Sequence, residues 1–457
     1  MKKRTIIRVI ILVVLIAALG VLVKLYCDEV KDKNSGSLSS EIPSMGGNMP
    51  EGGQPGGDSS SSVTKSGATE LTSDVTETGK EYGSTESDEN AILIKDGASV
   101  SISDGTVDKS AGDSSNVENS EFYGVNAGVL VESSSTATLK NLKISTSAKG
   151  ANAVFSTGTD SKVYISDSEI TTTKDSSRGL DATYGGYIEA DNVKISTQGG
   201  SCAALATDRG EGTVIARNSD LSTAGKGSPV IYSTGDITLE DSTGSATGSQ
   251  MVVIEGKNTA TVSNSTLECS GKGNRNDVDN CGVMIYQSMS GDAGEGTGTF
   301  NASNSSLSID SSSSLYKTAP FFFITNTDAI INLENNKLSY GSGILLKAEG
   351  TSEWGNSGSN GGNVTLNAKN QSLVGDVECD SISTVTINLA DGSYLESTIN
   401  GDNGDNGGKS VVLKLDASSK LKLTGDCYVT SLDDADESYS NIDFNGFTLY
   451  VNGSAIN

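Results

Sequence analysis

Three stretches of sequence decide the fold: KVYISDSEI at residues 162–170, YIEADNVKI at residues 187–195 and TVIARNSDL at residues 213–221. Each has apolar residues at alternate positions, then an Asn or Asp, then an apolar residue three positions further on. Such alternation predicts a strand with one buried face, and the odd offset indicates that the chain turns at the polar residue. A pattern that returns at this period predicts a solenoid.

The polar turn residue recurs in copies of the pattern that extend in both directions from these stretches. The turn position holds Asp104, Asn141, Asp167, Asn192, Asn218, Asp241, Asn264, Asn304 and Asn335. Asn and Asp tolerate the left-handed backbone conformation and close turns with their own side chains. We expect these residues to stack on successive coils about 4.8 Å apart and to bond to one another as a ladder.

A second, shorter apolar strand lies between the copies, as in Val129-Leu130-Val131 and Val252-Val253-Ile254. Together the two strand types make coils of about 22 to 27 residues, with some longer ones. Parallel strands joined by such crossovers coil in the right-handed sense. The sequence therefore predicts an all-β protein, a right-handed single-stranded parallel β-helix over residues 91–457.

The N-terminal 90 residues are different in character. Lys2-Lys3-Arg4 is followed by an uncharged run over residues 9–23, which predicts a transmembrane or signal helix within residues 1–27. An uncleaved anchor is favoured over a cleaved signal peptide. Residues 28–90 are of low complexity and predict a flexible spacer. We expect the β-helix to be extracytoplasmic, either membrane-anchored at its N-terminus or secreted.

Charge and composition exclude several functions. The chain has 58 acidic and 32 basic residues, a net charge of −26, which disfavours nucleic acid as a partner and limits membrane contact to the N-terminal segment. Histidine is absent, which removes Ser/His/Asp catalysis and His-ligated zinc. No cofactor or metal motif is present, although so acidic a surface could attract calcium.

The repeat resembles the pectin-lyase-like superfamily of right-handed β-helices over roughly residues 90–457. Within that superfamily it is closest to uncharacterised adhesin-like surface proteins of Gram-positive bacteria. The resemblance implies a bacterial cell-surface protein that presents a long face for adhesion to glycans or proteins, without catalysis. The superfamily also contains lyases and hydrolases. The alternative is therefore a polysaccharide lyase or glycoside hydrolase that acts on an acidic glycan.

One charged stretch is a candidate binding site. Arg178, Asp181, Tyr184, Asp208 and Arg209 fall on two successive coils, with Tyr184 and Asp208 expected in register. Superfamily enzymes use acidic residues with Arg or Lys, but no lyase or hydrolase motif surrounds these residues, and no catalytic role is assigned to them. A loop salt bridge beside a solvated turn is the structural alternative.

A second candidate is the outward position of the short strand. Phe155, Tyr232 and Phe323 are expected there as an exposed aromatic column that binds a partner or glycan. Two alternatives remain: the strand faces the other way, or a loop of the protein covers the column.

Six cysteines are present. Cys269 and Cys281 flank an inserted loop, residues 270–280, and an extracytoplasmic location permits a disulfide between them. We expect Cys202 to fill the core.

Overall fold

The computed structural model describes residues 63–275, 277–401 and 407–456. The predicted N-terminal helix, residues 1–27, lies outside these ranges, as does most of the predicted spacer. Among the described helices, none has the length and apolar character needed to cross a bilayer.

Strands β1–β43, numbered along the chain, form five sheets, of which the three long ones follow one another around each coil. Sheet A has twelve parallel strands and corresponds to the short apolar strand of the repeat. Its strands are β1 Ser66–Leu71, β4 Glu89–Ile94, β7 Val129–Val131, β10 Val154–Thr157, β13 Leu180–Thr183, β16 Leu205–Thr207, β19 Ile231–Ser233, β22 Val252–Glu255, β25 Val283–Tyr286, β28 Phe322–Thr325, β31 Ile344–Ala348 and β34 Asp376–Cys379.

Sheet B has fourteen strands and holds the alternating part of the repeat before the polar turn residue. Its strands are β2 Val75–Thr78, β5 Ser99–Ser103, β8 Thr136–Lys140, β11 Lys162–Ser166, β14 Tyr187–Asp191, β17 Thr213–Arg217, β20 Asp236–Glu240, β23 Thr259–Ser263, β26 Thr297–Ser303, β29 Thr327–Glu334, β32 Gly362–Lys369, β35 Thr384–Ala390, β37 Ser410–Leu415 and β40 Ser431–Asp434.

Sheet C has ten strands and follows the turn. Its strands are β3 Glu81–Ser84, β6 Thr106–Lys109, β9 Lys143–Thr146, β12 Glu169–Thr172, β15 Lys194–Thr197, β18 Asp220–Thr223, β21 Thr243–Ala246, β24 Thr266–Cys269, β27 Ser306–Ile309 and β30 Lys337–Ser339.

Two small sheets complete the C-terminal coils. Sheet D contains β33 Ser372–Val374, β36 Tyr394–Ser397, β38 Lys420–Leu423 and β41 Ile442–Asp443, and sheet E contains β39 Cys427–Val429, β42 Leu449–Val451 and β43 Ser454–Ala455. Strands β42 and β43 pair in the antiparallel sense, whereas the other described pairs are parallel. Helix α1, Val117–Tyr123, is inserted between β6 and β7. The predicted all-β parallel coil is therefore confirmed.

The coil begins earlier than the sequence suggested. Strand β1 starts at Ser66 and pairs with β4, so residues 66–90 form a coil of the solenoid. The prediction of a flexible spacer over residues 28–90 is therefore wrong for residues 66–90. The strands of this coil carry few apolar residues, of which Tyr82 is buried, and the polar composition concealed the repeat.

The inward positions of the three sheets form one continuous apolar core, to which Ile165, Ile188 and Val214 belong. The strands of sheet B alternate buried and partly exposed residues, as β11 does, because successive side chains point to opposite faces. Each coil contributes only a few side chains to this core, and stacking makes the core continuous.

The nine turn residues stack at one edge between sheets B and C. All nine have φ angles of 50–56°, in the left-handed region. Asn141 donates to Oδ1 of Asp104 at 2.7 Å, and Asn192 donates to Oδ1 of Asp167 at 2.8 Å. Asn218 departs from the pattern, because its amide donates to Asp191 on the preceding coil instead of to Asn192.

Sequence reasoning missed a second ladder on the outer face of sheet B. Asn332, Asn367 and Asn388 each donate from Nδ2 to Oδ1 of the asparagine on the coil before, at 2.7–2.8 Å, and Asn301 begins the series. These amides satisfy one another on a half-exposed face, which favours a structural role for them.

Candidate functional site on the outer face of sheet A

The outward-facing positions of sheet A form one column along the solenoid. In register order it contains Leu130, Phe155, Asp181, Ala206, Tyr232, Val253, Met284 and Phe323. Several of these side chains pack in two clusters that are separate from the interior core. The predicted facing of Phe155, Tyr232 and Phe323 therefore agrees with the geometry.

The predicted exposure of this column is wrong. Phe155 is 0% exposed and Phe323 is 1% exposed, while Tyr232 is partly buried. The physical reason is that inserted segments of the same chain fold over sheet A and remove its outer apolar surface from water.

The first covering segment, here called the α1 segment, comprises residues 110–128. It contributes Ala127 to a cluster with Leu93, Leu130 and Phe155. Gly124 ends helix α1 at φ 71°, and a Cβ atom there would lie 2.5 Å from Cδ1 of Phe155. The glycine thus allows both the left-handed C-cap and the close approach to the ring.

Beneath the α1 segment lies a buried charge cluster, formed by Glu121, Arg178, Asp181 and Asp208. Arg178 Nη2 lies 2.8 Å from Asp208 Oδ2, its Nε lies 3.7 Å from Asp181 Oδ2, and its Nη1 lies 3.4 Å from Glu121 Oε1. The side chain of Asp181 is fully buried, and that of Asp208 is 5% exposed. The structure thus brings together three of the predicted residues and adds Glu121, which the sequence analysis had not singled out.

Burial controls the protonation of this cluster. Burial raises the pKa of Asp181 to about 7, against the opposing effect of Arg178. Burial also raises the pKa of Asp208 well above its usual range, again opposed by Arg178. Neither oxygen of Asp181 has a well-aligned hydrogen-bond donor. One guanidinium therefore faces three carboxyl groups in a space from which water is largely excluded.

Tyr184 and Arg209 bind the α1 segment to the coils below. Ala182 pairs with Thr207, so Asp208 lies opposite Thr183, and the predicted register of Tyr184 with Asp208 is wrong by one residue. The backbone N–H of Tyr184 donates to the carbonyl of Arg209. The Tyr184 ring stacks on Tyr123, with centroids 5.6 Å apart and 6° between the planes. Arg209 pairs with Asp292 of the loop after β25.

Further along the same face is an aromatic pocket of about 120 Å³, here called the Trp354 pocket. Tyr232, Tyr286 and Trp354 supply its rings, and Tyr286 and Trp354 meet edge to face at 5.2 Å. Its polar lining residues include Gln250, Asn274, Arg275, Asp279 and Ser288. Tyr232 is the one residue of the predicted column that is partly exposed, and it lines this pocket.

Glu255 fixes the two tyrosines of the pocket. The hydroxyls of Tyr232 and Tyr286 both donate to Oε2 of Glu255 at 2.8 Å, and Ser288 donates to Oε1. Glu255 is 2% exposed. Since each of its oxygens already accepts a protein hydroxyl, this carboxylate orients the rings and presents little of itself to a ligand.

The inserted loop over residues 270–280 forms one wall of the pocket. Both carboxylate oxygens of Asp279 accept backbone N–H groups of the loop, from Asn274 and Arg275, at 2.8 Å. Gln250 donates to the Asp279 carbonyl at 2.8 Å. These bonds hold the wall in place without a covalent link.

The predicted disulfide between Cys269 and Cys281 is not formed. Both residues are buried free thiols, as are Cys202, Cys379 and Cys427. Each thiol of the pair packs among apolar residues and donates a hydrogen bond to a backbone carbonyl, so it can be buried without forming a disulfide. The sequence signal, two cysteines that flank an insertion, did not distinguish a bridge from core packing.

Other cavities carry less specific chemistry. A groove of about 870 Å³ follows the Asn/Asp ladder and is lined by residues such as Asp167, Glu169 and Lys194. No group of three or more Cys, Asp or Glu side chains in the described ranges is arranged to hold a metal ion.

Comparison with known proteins bears on the fold. Residues 109–294 match the family described as right handed beta helix region. This stretch is a right-handed β-helix. Its parallel sheets, continued on both sides of the matched residues, are consistent with a pectin-lyase-like fold, as the resemblance implied. No curated protein and no solved structure matches the chain.

The β-helix presents two unlike regions on sheet A. The charge cluster is sealed under the α1 segment, whereas the Trp354 pocket is open to solvent. Sequence reasoning missed Trp354, Tyr286 and Glu255, since they lie on separate coils and on an inserted loop. The one available signal was that Trp354 is the single tryptophan of the chain.

Proposed function

We propose that this protein is a non-catalytic glycan-binding protein of the bacterial cell surface, which docks a sugar ring in the Trp354 pocket. The observation that carries the proposal is the meeting of Tyr232, Tyr286 and Trp354 around one small opening. Ligand pockets for drug-sized molecules have volumes of roughly 300–1,000 Å³, so a pocket of about 120 Å³ suits a single ring or end group.

The chemistry of the pocket lining fits a sugar. A pyranose ring has C–H faces, which pack on aromatic faces, and a rim of hydroxyls, which need hydrogen-bond partners. Arg275 and Asn274 are exposed at the rim and offer donors, while Gln250 and Ser288 supply further amide and hydroxyl groups. Glu255 holds two of the rings before any ligand arrives, which lowers the entropy cost of binding.

Burial of the acidic residues supports a non-catalytic role. General acid and base groups must come within hydrogen-bond reach of the reacting bond, and glycosidases use two accessible carboxyl groups. Asp181 is covered by the α1 segment, and Glu255 is covered by its three hydroxyl donors. The acidic charge of the chain and its predicted N-terminal anchor are consistent with a protein that is exposed outside the cytoplasm.

The test uses the full-length protein and its single tryptophan as the reporter. Titration with a panel of bacterial and host oligosaccharides is expected to change Trp354 fluorescence for at least one ligand class. Arg275→Ala, at the exposed rim, is expected to weaken that binding by roughly tenfold or more, the value of a lost charged hydrogen bond. Lys272→Ala, on the same loop but at a neighbouring cavity, serves as the matched control and is expected to bind normally.

Two outcomes would refute the proposal. In the first, no oligosaccharide changes the fluorescence. In the second, the Arg275 and Lys272 variants bind equally well. The appearance of new reducing ends or unsaturated sugars during the titration would favour the lyase or hydrolase alternative.

A further inference from the structure

We propose that the buried charge cluster is a proton-operated latch, which holds the α1 segment on sheet A when its aspartates are protonated and loosens it when they ionise. The proposal goes beyond glycan binding and does not depend on it. The observation behind it is an imbalance of charge, because Arg178 contacts two buried carboxyl groups, Asp181 and Asp208, together with the partly exposed Glu121.

The fully ionised cluster is unfavourable for a physical reason. One guanidinium balances one carboxylate, which leaves one of the two buried aspartates uncompensated, and the partly exposed Glu121 adds a further negative charge beside them. Neither oxygen of Asp181 has a well-aligned hydrogen-bond donor, so hydrogen bonding does little to offset the burial of its charge. Protonation of Asp181 and Asp208 removes the excess charge.

The groups around the aspartates do not supply another balancing charge. They come from α1, from strand β19, from the residues that flank β13 and β16, and from the loop after β25. The groups that face the cluster are Glu121, Tyr123, Arg178, Tyr184, Cys202, Arg209, Tyr232 and Asp292. Arg209, the second cation, is already paired with Asp292.

The direction of the pH response follows from burial. The folded protein holds protons on Asp181 up to a pKa of about 7, whereas an unfolded aspartate releases its proton near pH 3.8. The stabilisation of the closed segment is therefore fully present below about pH 3.8 and is lost as the pH rises through about 7. The same direction applies to Asp208.

The α1 segment is the element that such a change would move. Helix α1 has seven residues, too few to be stable without its contacts. Thr183 Oγ1 donates to the Phe122 carbonyl at 2.9 Å, and Asn152 Nδ2 donates to the Ser120 carbonyl at 2.9 Å. These two bonds and the Tyr123–Tyr184 stack attach the helix directly above the cluster. Loosening would expose the apolar patch of Leu130 and Phe155 beneath it.

Hydrogen–deuterium exchange of the full-length protein tests the latch. Wild type and Asp181→Asn, which mimics the protonated state, are compared at one pH at a time, so that intrinsic exchange rates cancel. At about pH 9 the amides of residues 117–128 in wild type are expected to exchange roughly tenfold or more faster than in the variant. At about pH 5, where Asp181 of the closed protein keeps its proton, the difference between the two proteins is expected to be much smaller.

Two further variants make the result decisive. Glu121→Gln removes an acid of the cluster from the exposed side and is expected to slow exchange at high pH, which keeps the test valid if Asp181→Asn fails to fold. Burial also raises the pKa of Asp236, but this residue lies on β20 of sheet B, away from the cluster. Asp236→Asn is therefore expected to have no effect on the exchange of residues 117–128. Equal wild-type and variant exchange at high pH would overturn the proposal, and so would an equal effect of Asp236→Asn.

Discussion

The guanidinium of Arg209 lies 4.1 Å from the centre of the Phe122 ring. A residue that follows a strand of sheet A thereby holds the helix inserted more than 80 residues earlier, and the ion pair with Asp292 extends the contact to a third segment. Cation–π contacts of this kind contribute about 0.5–2 kcal/mol. The outer face of sheet A is thus enclosed by segments joined to one another, and the Trp354 pocket lies where this cover ends.

The interior core gives the simplest prediction. Ile165 is 2% exposed on β11 and belongs to the continuous core. Ile165→Ala is expected to lower the free energy of unfolding by about 2–5 kcal/mol, since it removes buried methyl groups and leaves a cavity. Urea denaturation followed by circular dichroism measures the change. Val374→Ala, at a 58% exposed aliphatic residue, is the control and is expected to stay within about 0.5 kcal/mol of wild type.

The coil could be predicted because its determinants are local and repeated. An Asn or Asp at φ near 50° ends each strand of sheet B in the repeat, and the apolar residues on either side have fixed offsets from it. Because nine such copies occur, the repeat period can be recognised from the sequence without knowledge of the tertiary contacts. The first coil, with strands β1 to β3, has few apolar residues, so the repeat pattern is not recognisable there. The predicted start of the coil at residue 91 is therefore too late.

The candidate site could not be predicted in the same way, because its walls come from insertions without a period. Trp354 lies on a loop and packs against Phe323 and Met284. No local sequence pattern indicates where on the coil that loop packs. The α1 segment is also an insertion without a period, and it buries the outward-facing Phe155. The alternating strand pattern gave the direction of Phe155, while its exposure depends on long-range contacts.

The free thiols give a prediction about chemistry. Burial raises the pKa of Cys269 to about 12 and that of Cys281 well above its usual range, which disfavours the reactive thiolate. An alkylating agent at neutral pH is expected to label both residues slowly in the folded protein and fully in denaturant without reductant, as measured by peptide mass spectrometry. Labelling that requires a reductant would show that the two residues are bridged.

Acid sensitivity is expected at the C-terminal coil. Hydrogen bonds from the side chains of Ser438 and Ser440 lower the pKa of Asp436 to about 2. Its stabilising effect is present above an unfolded value near 3.8 and is lost as the pH falls towards about 2. Asp436→Asn is therefore expected to lower the melting temperature at neutral pH but not near pH 2. Glu437→Gln, at the adjacent exposed residue, is the control, and an equal loss in both variants would contradict this reasoning.

Phe155 tests the cover on sheet A directly. If the residue were part of an exposed binding column, its removal would leave stability unchanged, whereas its burial under the α1 segment predicts a large loss. Phe155→Ala is expected to cost about 3–5 kcal/mol in urea denaturation, because a large ring leaves a cavity between Leu130 and Gly124. Tyr164→Ala, an aromatic residue 40% exposed on sheet B, is the matched control with little expected effect. Equal stability of the two variants would mean that the α1 segment does not close over sheet A in solution, and it would restore Phe155 as a candidate for ligand contact.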